Sequence, residues 1–406
     1  MERLSPQLLL DYLIDLGSAL MSAGCPTHRL EELLVTVARI EGHSADVFAV
    51  PTGLFIGLRT PEGEASLTTM VRVSEWTNDL ERLVLLDELV NEVVDRTLTI
   101  PEARARIREV LRRPPLWSRP AELAAAAASS AGAAVSFGGD LSDAVLAGLG
   151  GLVLRTLMFL LSREPGVRVL ENFIGGLVAA LTAWIATLLW PGHGREVLVL
   201  SIIIPLLPGL TLTTGLSELT YRNLVSGTAR LMHAAITLLS LVFGIAVVMA
   251  LENAMGLHSP PAVARAPAAI WVQVLGIGFA AFGFGVTLGL PRSKLVVSLG
   301  AGVLVWALGF VTRPLPGAHA AFLSALVLAL VSNVAARRTG RPAQLFLMPG
   351  MFLLVPGALS FRSLETLLSG DAVTGLSGLA DVLLIAAALV VGLLVANVAL
   401  PPRKVL

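Results

Sequence analysis

PLLPGLTLTTGLSELTYRNLVSG, Pro205 to Gly227, is an apolar run that breaks at Pro205, Pro208 and Gly209. It then turns polar through Thr211, Thr213, Thr214, Ser217 and Glu218. Proline removes a backbone donor and clashes with the preceding turn, and glycine is conformationally loose. In water such a sequence ends a helix. In a bilayer, opened backbone survives only where other protein or a water-filled cavity satisfies it. The composition selects the bilayer: of 406 residues 55% are hydrophobic and 14% charged, with mean hydropathy +0.80, the profile of a polytopic α-helical membrane protein. The stretch is therefore the candidate working centre.

The 29 Lys+Arg balance 29 Asp+Glu, so no global field draws a nucleic acid, and none is expected as a partner. Cys25 is the only cysteine, which excludes an intrachain disulfide. The opening MERLSPQLLLDYLIDLG has acids inside its apolar run, unlike a cleavable signal, so the first membrane helix would direct insertion.

Residues 1–120 read as a small soluble α+β domain. Ser5-Pro6 starts a helix that carries Leu9, Leu13, Leu16 and Leu20 on one face. Gly24-Cys25-Pro26 breaks it, and Thr27 can cap a second helix through Leu34 and Val37. DVFAVPTGLFIGLRT, a PEGE turn and ASLTTMVRV read as two strands in a hairpin. Helices over 78–95 and 100–112 follow, the second opened by a Thr99/Glu102 capping box. Arg104, Arg106, Arg108, Arg112, Arg113 and Arg119 favour the cytoplasmic side.

From Ala121 on, apolar segments of spanning length succeed one another at 121–139, 143–161, 172–190, 197–213, 229–250, 268–290, 295–312, 318–335, 343–360 and 378–399. That makes about ten helices. The first is Ala-rich and weakly apolar. With the N-terminus inside, inner loops hold Arg163, Arg168, Arg222, Arg292, Lys294, Arg337, Arg338, Arg341, Arg403 and Lys404. Outer loops hold only Arg195, Arg265, Arg313 and Arg362. This satisfies the positive-inside rule and puts both termini in the cytoplasm, with the chain in the cytoplasmic (inner) membrane.

Pro208-Gly209 recurs as Pro356-Gly357, an offset of 356 − 208 = 148, which also carries Leu219 to Leu367, Gly227 to Gly375 and Gly244 to Gly392. The membrane part then divides into five-helix repeats at 121–260 and 261–406. An odd helix number inserts the second repeat upside-down. Matching breaks in two inverted repeats point to a central substrate site.

With these residues in place, the chain resembles the threonine/serine exporter family over nearly its whole length. The pattern G-A-x-T-x-R-x-E stands at Gly24, Thr27, Arg29 and Glu31, with Cys25 where Ala is commoner, and P-T-G at Pro51 to Gly53. FGGD follows at Phe137 to Asp140, then PGLTLTTGLSEL and LVSGTARL. The family usually has Asp at Glu218 and often Asp at Asn223; the first change keeps the charge and the second removes it. The second half resembles the family's smaller membrane module, a separate protein in some organisms. The resemblance implies proton-driven export of small hydroxy amino acids, with no cofactor. Relatives in split form are associated with dicarboxylate export, such as of succinate. Assembly into homo-oligomers is compatible with this plan.

A transported zwitterion needs donors for its carboxylate, acceptors for its ammonium and a titratable coupling group. Backbone freed at Pro208, Gly209, Pro356 and Gly357 can take the carboxylate. Thr211, Thr213 and Thr214 add hydroxyls or else bond their own helix. Glu218 is the coupling candidate, against an interfacial pair with Arg222 at i+4. His233 and its repeat mate Asp381 are further coupling candidates. Asp140 and Asp143 attract cations at the outer mouth or end the first helix. Arg155 and Arg230 are expected to snorkel, and Asn172, Gln273 and Asn333 to glue helices together. No metal site is expected. Cys25, His28 and Glu31 invite a membrane-anchored hydrolase or sensor reading, but no oxyanion-hole motif accompanies them, so the expectation is not an enzyme. Arg29 and Glu31 instead dock the domain onto the membrane part.

Overall fold

A computed structural model describes residues 5–59, 66–73, 77–161, 167, 169–258, 260, 263 and 268–401. The readings that fall on the PEGE turn and on Arg163, Arg168, Arg265, Arg403 and Lys404 lie outside the described residues.

The N-terminal unit is built around α1 (Pro6–Ser22), where Ser5 Oγ accepts the Leu8 N–H and Pro6 fills the first turn. Leu9, Leu13, Leu16 and Leu20 are all fully buried. α2 (Thr27–Ile40) follows, then an antiparallel sheet in the order β1 (Ser44–Val50), β2 (Gly53–Arg59), β3 (Ser66–Arg72). The two strands expected here are three. Val50 pairs with Gly53, so Pro51-Thr52 make a two-residue loop inside the run that read as one strand. Proline presets the turn dihedral and cannot donate to a ladder, and that was the available signal. α3 (Leu80–Val94) starts at Asp79, and α4 (Ile100–Arg112) at Thr99, whose N–H and hydroxyl both donate to Glu102. Leu54, Ile56 and Leu58 of β2 pack beneath α1, and a Cβ at Gly17 would overlap Leu54. This core continues into Leu288, Leu290 and Leu345, so it is shared with the membrane part.

The rest is helical: α5 (Arg119–Ser136), α6 (Leu141–Leu161), α7 (Glu171–Leu189), α8 (Arg195–Ile203), α9 (Gly209–Thr220), α10 (Leu224–Met255), α11 (Ile270–Thr287), α12 (Leu295–Val311), α13 (Gly317–Thr339), α14 (Gln344–Leu354), α15 (Gly357–Leu368) and α16 (Ala372–Ala399). Among the described residues, eight helices are long and apolar enough to cross a membrane, with α14–α15 counted as one. The pair α8–α9, bent by 54°, makes a ninth. Against the ten expected, α5 falls short. It is wedged between α6 and α11, with Ser129 and Ser130 fully buried, and a helix wrapped in protein needs no apolar exterior.

The 148-residue register reappears in the backbone. Leu207 (φ −66°, ψ 127°) and Pro208 (φ −80°, ψ 35°) are matched by Val355 (φ −68°, ψ 137°) and Pro356 (φ −77°, ψ 38°). Arg222 (φ 65°) is matched by Gly370 (φ 104°), a left-handed position that suits glycine and strains arginine. The long helices cross their neighbours backbone to backbone in both halves. A Cβ at Gly244 would overlap the Phe173 carbonyl, and one at Gly392 would lie 2.6 Å from the Phe322 carbonyl.

A methyl at such a crossing must push helices apart. Gly244→Ala is expected to destabilise the protein by about 1–3 kcal/mol, the usual cost of overpacking. Gly278→Ala, with nothing within 4 Å of the added carbon, should be neutral or slightly stabilising. Thermal unfolding of the detergent-solubilised variants checks both.

Candidate functional site

The two broken helices meet. A Cβ at Gly209 would stand 3.4 Å from the Gly357 Cα and one at Gly357 3.5 Å from the Gly209 Cα, so the two helix starts lie in van der Waals contact, and at Gly209 the added carbon would also overlap Val355 Cγ1. Both glycines are the first residue of a 12-residue helix, and each helix brings unsatisfied N–H groups and the positive end of its dipole to the seam. Beside them lies a cavity of about 250 Å³, lined by Ser136 and the rings of Phe137, Phe284, Trp306 and Phe352, with no charged side chain. Helix N-termini suit a carboxylate, and aromatic faces suit an ammonium.

A second cavity of about 340 Å³ reaches the same break from the end that carries the N-terminal unit, touching Pro205 and Leu206. Its wall holds Asp79, Arg82, Glu122 and Arg155, two anions and two cations. Arg155 pairs with Glu122 and lies 4.5 Å over the Phe159 ring, and Arg82 pairs with Asp79 at 3.3 Å. Arg155, expected to snorkel, has a side chain 41% exposed and is paired where it emerges.

Glu218 is fully buried at the foot of α9. Its Oε1 accepts the Thr27 N–H at 3.1 Å and the Thr27 hydroxyl at 2.6 Å, and that hydroxyl lies 2.7 Å from Ser226 Oγ. Its Oε2 accepts from Arg230 Nε at 3.0 Å. Thr27 therefore does not cap α2 with its own side chain; Pro26 is the N-cap residue, and a carboxylate from α9 takes the first helical N–H. Glu218 does not pair with Arg222 across a helical turn either, because α9 ends at Thr220 and the chain reverses at Arg222. Arg230, expected at the interface, is drawn inward. One turn on, Glu31 accepts from Ala49 N–H at 2.8 Å and from Asn223 Nδ2 at 3.0 Å. An Asp at 223 would face Glu31 with like charge, so the amide fits its partner. His28 stacks on Tyr221 at 4.0 Å.

The unit also grips the second half. The Leu80 N–H donates to the Leu288 carbonyl at 2.9 Å, Trp117 Nε1 to the Leu290 carbonyl at 3.1 Å, and Arg341 pairs with Glu88.

The remaining candidates are dispersed. Thr213 donates to the Gly209 carbonyl of its own helix, and Thr211 and Thr214 are half-buried on α9. None of the three lines either cavity. His233 and Asp381 are exposed on α10 and α16. Asp140 and Asp143 gather at the opposite end with His193, whose Nδ1 lies 2.6 Å from Asp143 Oδ1; one ligand atom from each of the three falls within 4.8 Å of the others. Nearby, Arg195 pairs with Glu252, and Arg362 pairs with Glu196 at 2.8 Å. Asn172 joins α7 to α10 through Thr237, and Asn333 joins α13 to α16 through Asn397, but Gln273 only bonds the Ala268 carbonyl. Sequence reasoning missed His193, which has no motif around it. It also missed Ser226, whose signal was its place in LVSGTARL.

Cys25 is buried, donates to the Pro26 carbonyl at 3.7 Å, and has its thiol pushed up to about 12 by burial. Burial, with the Arg29 charge, lowers His28 from 6.5 to about 3. A thiol so held is not a nucleophile at neutral pH, and its neighbouring histidine points into a stack.

The His28 shift has a consequence for docking. The docked ring stays neutral, while an undocked one takes a proton below about pH 6.5, so docking weakens as pH falls from there toward 3. The protection factors of the α2 amides, taken against the intrinsic exchange rate that itself slows as pH falls, should drop on acidification by up to about tenfold per pH unit. His28→Phe, which keeps the stack, should remove the part of the dependence that His28 carries.

Two family models match the chain. One, described as "Putative threonine/serine exporter", matches residues 11–252; the other, "Threonine/Serine exporter, ThrE", matches residues 273–399. The chain is similar to pheromone-regulated membrane protein 10 of Saccharomyces cerevisiae, 26% identical over 380 residues, covering 88% of this chain and 47% of the relative. The same-named proteins of Kluyveromyces lactis (26%; 88% and 38%) and Eremothecium gossypii (24%; 88% and 49%) are comparable. The chain thus spans less than half the length of these curated relatives. No solved structure matches it significantly. With one model over the N-terminal unit and first half and the other over the second half, the chain belongs to the threonine/serine exporter family.

Proposed function

We propose that the chain is a secondary active exporter of threonine and serine, working as a proton antiporter by alternating access. The observation that carries this reading is the meeting of two helix N-termini at Gly209 and Gly357, beside an aromatic cavity without a charged side chain. That surface offers one carboxylate site and an ammonium platform, which is what a zwitterion requires. The balanced charges of Asp79, Arg82, Glu122 and Arg155 on the approach also suit a solute of no net charge. Arg155 on that wall is the feature that favours the second reading, export of a dicarboxylate such as succinate. Its pairing with Glu122 weighs the balance toward the amino acid.

In this reading the chain divides at 1–120, 121–260 and 261–406. α5 completes ten crossings as the counterpart of α11, and the two five-helix halves are inverted about the Gly209–Gly357 contact. The repeated dihedrals at Pro208 and Pro356 support that arrangement. The N-terminal unit lies on the cytoplasmic side of the inner membrane and gates the inner mouth. Glu218, rather than the exposed His233 or Asp381, carries the proton. Protonation would remove the charge that holds Arg230 and Thr27, and so would tie coupling to gating.

Purified protein in vesicles should move serine or threonine against their gradients when a pH gradient is imposed. Movement of neither would end the amino-acid reading, and preferential movement of succinate would install the second one. Glu218→Gln should leave a transporter that exchanges substrate but ignores the pH gradient; an unchanged gradient response would remove Glu218 from the coupling role.

A further inference from the structure

Glu218, Ser226 and Arg230 surround a threonine that belongs to the chain itself. We propose that they form a recognition site for a free β-hydroxy α-amino acid, distinct from the seam at Gly209 and Gly357, and that Thr27 occupies it as an internal surrogate.

The geometry is specific to an amino alcohol. A single carboxylate oxygen, Glu218 Oε1, accepts both the nitrogen (3.1 Å) and the hydroxyl (2.6 Å) of Thr27. In free threonine or serine these two groups are the α-ammonium and the β-hydroxyl, with the same carbons between them. Ser226 Oγ at 2.7 Å gives that hydroxyl a second partner, so an amino acid without it would leave two buried polar groups unmatched. The free ligand differs from Thr27 in two ways. Its nitrogen is cationic, which strengthens the contact with Glu218. It also brings a carboxylate, and Arg230 supplies the adjacent cation, its side chain 11% exposed and bonded to Glu218 Oε2 at 3.0 Å.

The seat is full. The space left beside Thr27, against Cys25, Pro51 and Arg230, is only about 10 Å³. A ligand therefore enters only by expelling Thr27, and with it the start of α2. Cargo at the inner face would compete directly with the N-terminal unit for Glu218, loosening that unit's hold on α9 and α10. The inference rests on the exporter reading for the identity of the ligand, and on the packing alone for the competition.

The test uses the full chain in vesicles, with L-threonine, L-valine and succinate as probes and two readouts: amide exchange in α2, and the half-saturating threonine concentration for transport. Threonine should accelerate α2 exchange, whereas valine (the same shape without the hydroxyl) and succinate should not. Thr27→Val, which weakens the surrogate, should lower the half-saturating threonine concentration by about tenfold, the worth of one hydrogen bond to a charged group. Ser226→Ala should raise it and narrow the preference over valine. Thr27→Ser, which keeps both contacts, should match the parent, and if Thr27→Val does not fold then Ser226→Ala decides. Threonine transport with α2 exchange indifferent to threonine, or equally sensitive to valine, overturns the inference and leaves the exporter reading standing. Release of α2 by threonine without any transport keeps the site and overturns the exporter reading. Neither response overturns both.

Discussion

The arrangement depends on how two interrupted helices satisfy each other. Neither break at Pro208 nor at Pro356 can be left to lipid, because an opened backbone in hydrocarbon has no partner. Each break is filled by the other: Gly209 lies against Val355 and Gly357, and Gly357 against Leu207 and Gly209. A Cβ at Gly209 would overlap Val355 and one at Gly357 would press on Leu207, so the two halves meet tightly here, as they do where α5 lies on α11. The backbone crossings at Gly244 and Gly392 then hold the long helices around it.

The N-terminal unit is bolted to both sides of that contact. Its first attachment runs through a buried carboxylate, Glu218, and a stacked ring pair, His28 on Tyr221, both in the first half. Its second runs through the Leu288 and Leu290 carbonyls and Arg341 in the other half. A body that grips two partners resists any motion of one against the other. Relative movement of the halves therefore requires one grip to yield, and the Glu218 grip is the one centred on a buried carboxylate.

Much of this was legible. The helical face of Leu9, Leu13, Leu16 and Leu20, the Thr99/Glu102 box and the 148-residue register follow from periodicity and spacing, which are local properties. The proline–glycine breaks were legible too, since proline fixes φ and withholds its N–H wherever it stands. What was not legible is what long-range pairing supplies. Glu218 and Arg230 are separated by a reversal at Arg222 that helical arithmetic carries straight through. Thr27 read as a cap because nothing local showed that its hydroxyl was already taken, 191 residues away. His233 was a coupling candidate for its titratable ring and Asp381 as its mate in the register; both are exposed, which no local pattern in an apolar helix shows. The short PTG motif concealed a strand end because its flanks are apolar on both sides.

The opposite end of the molecule is held differently. There Arg362 of α15 meets Glu196 of α8, with side chains 41% and 60% exposed. The register assigns these two positions to Thr214 and Gln344 at the near end, where no such pair exists among the described residues. A half-exposed ion pair is worth about 1 kcal/mol at most and is screened by salt. The Glu218 carboxylate is fully buried, and salt screens its contacts far less. The two ends of one molecule thus differ in how far the ionic strength of their solutions reaches the contacts that hold them.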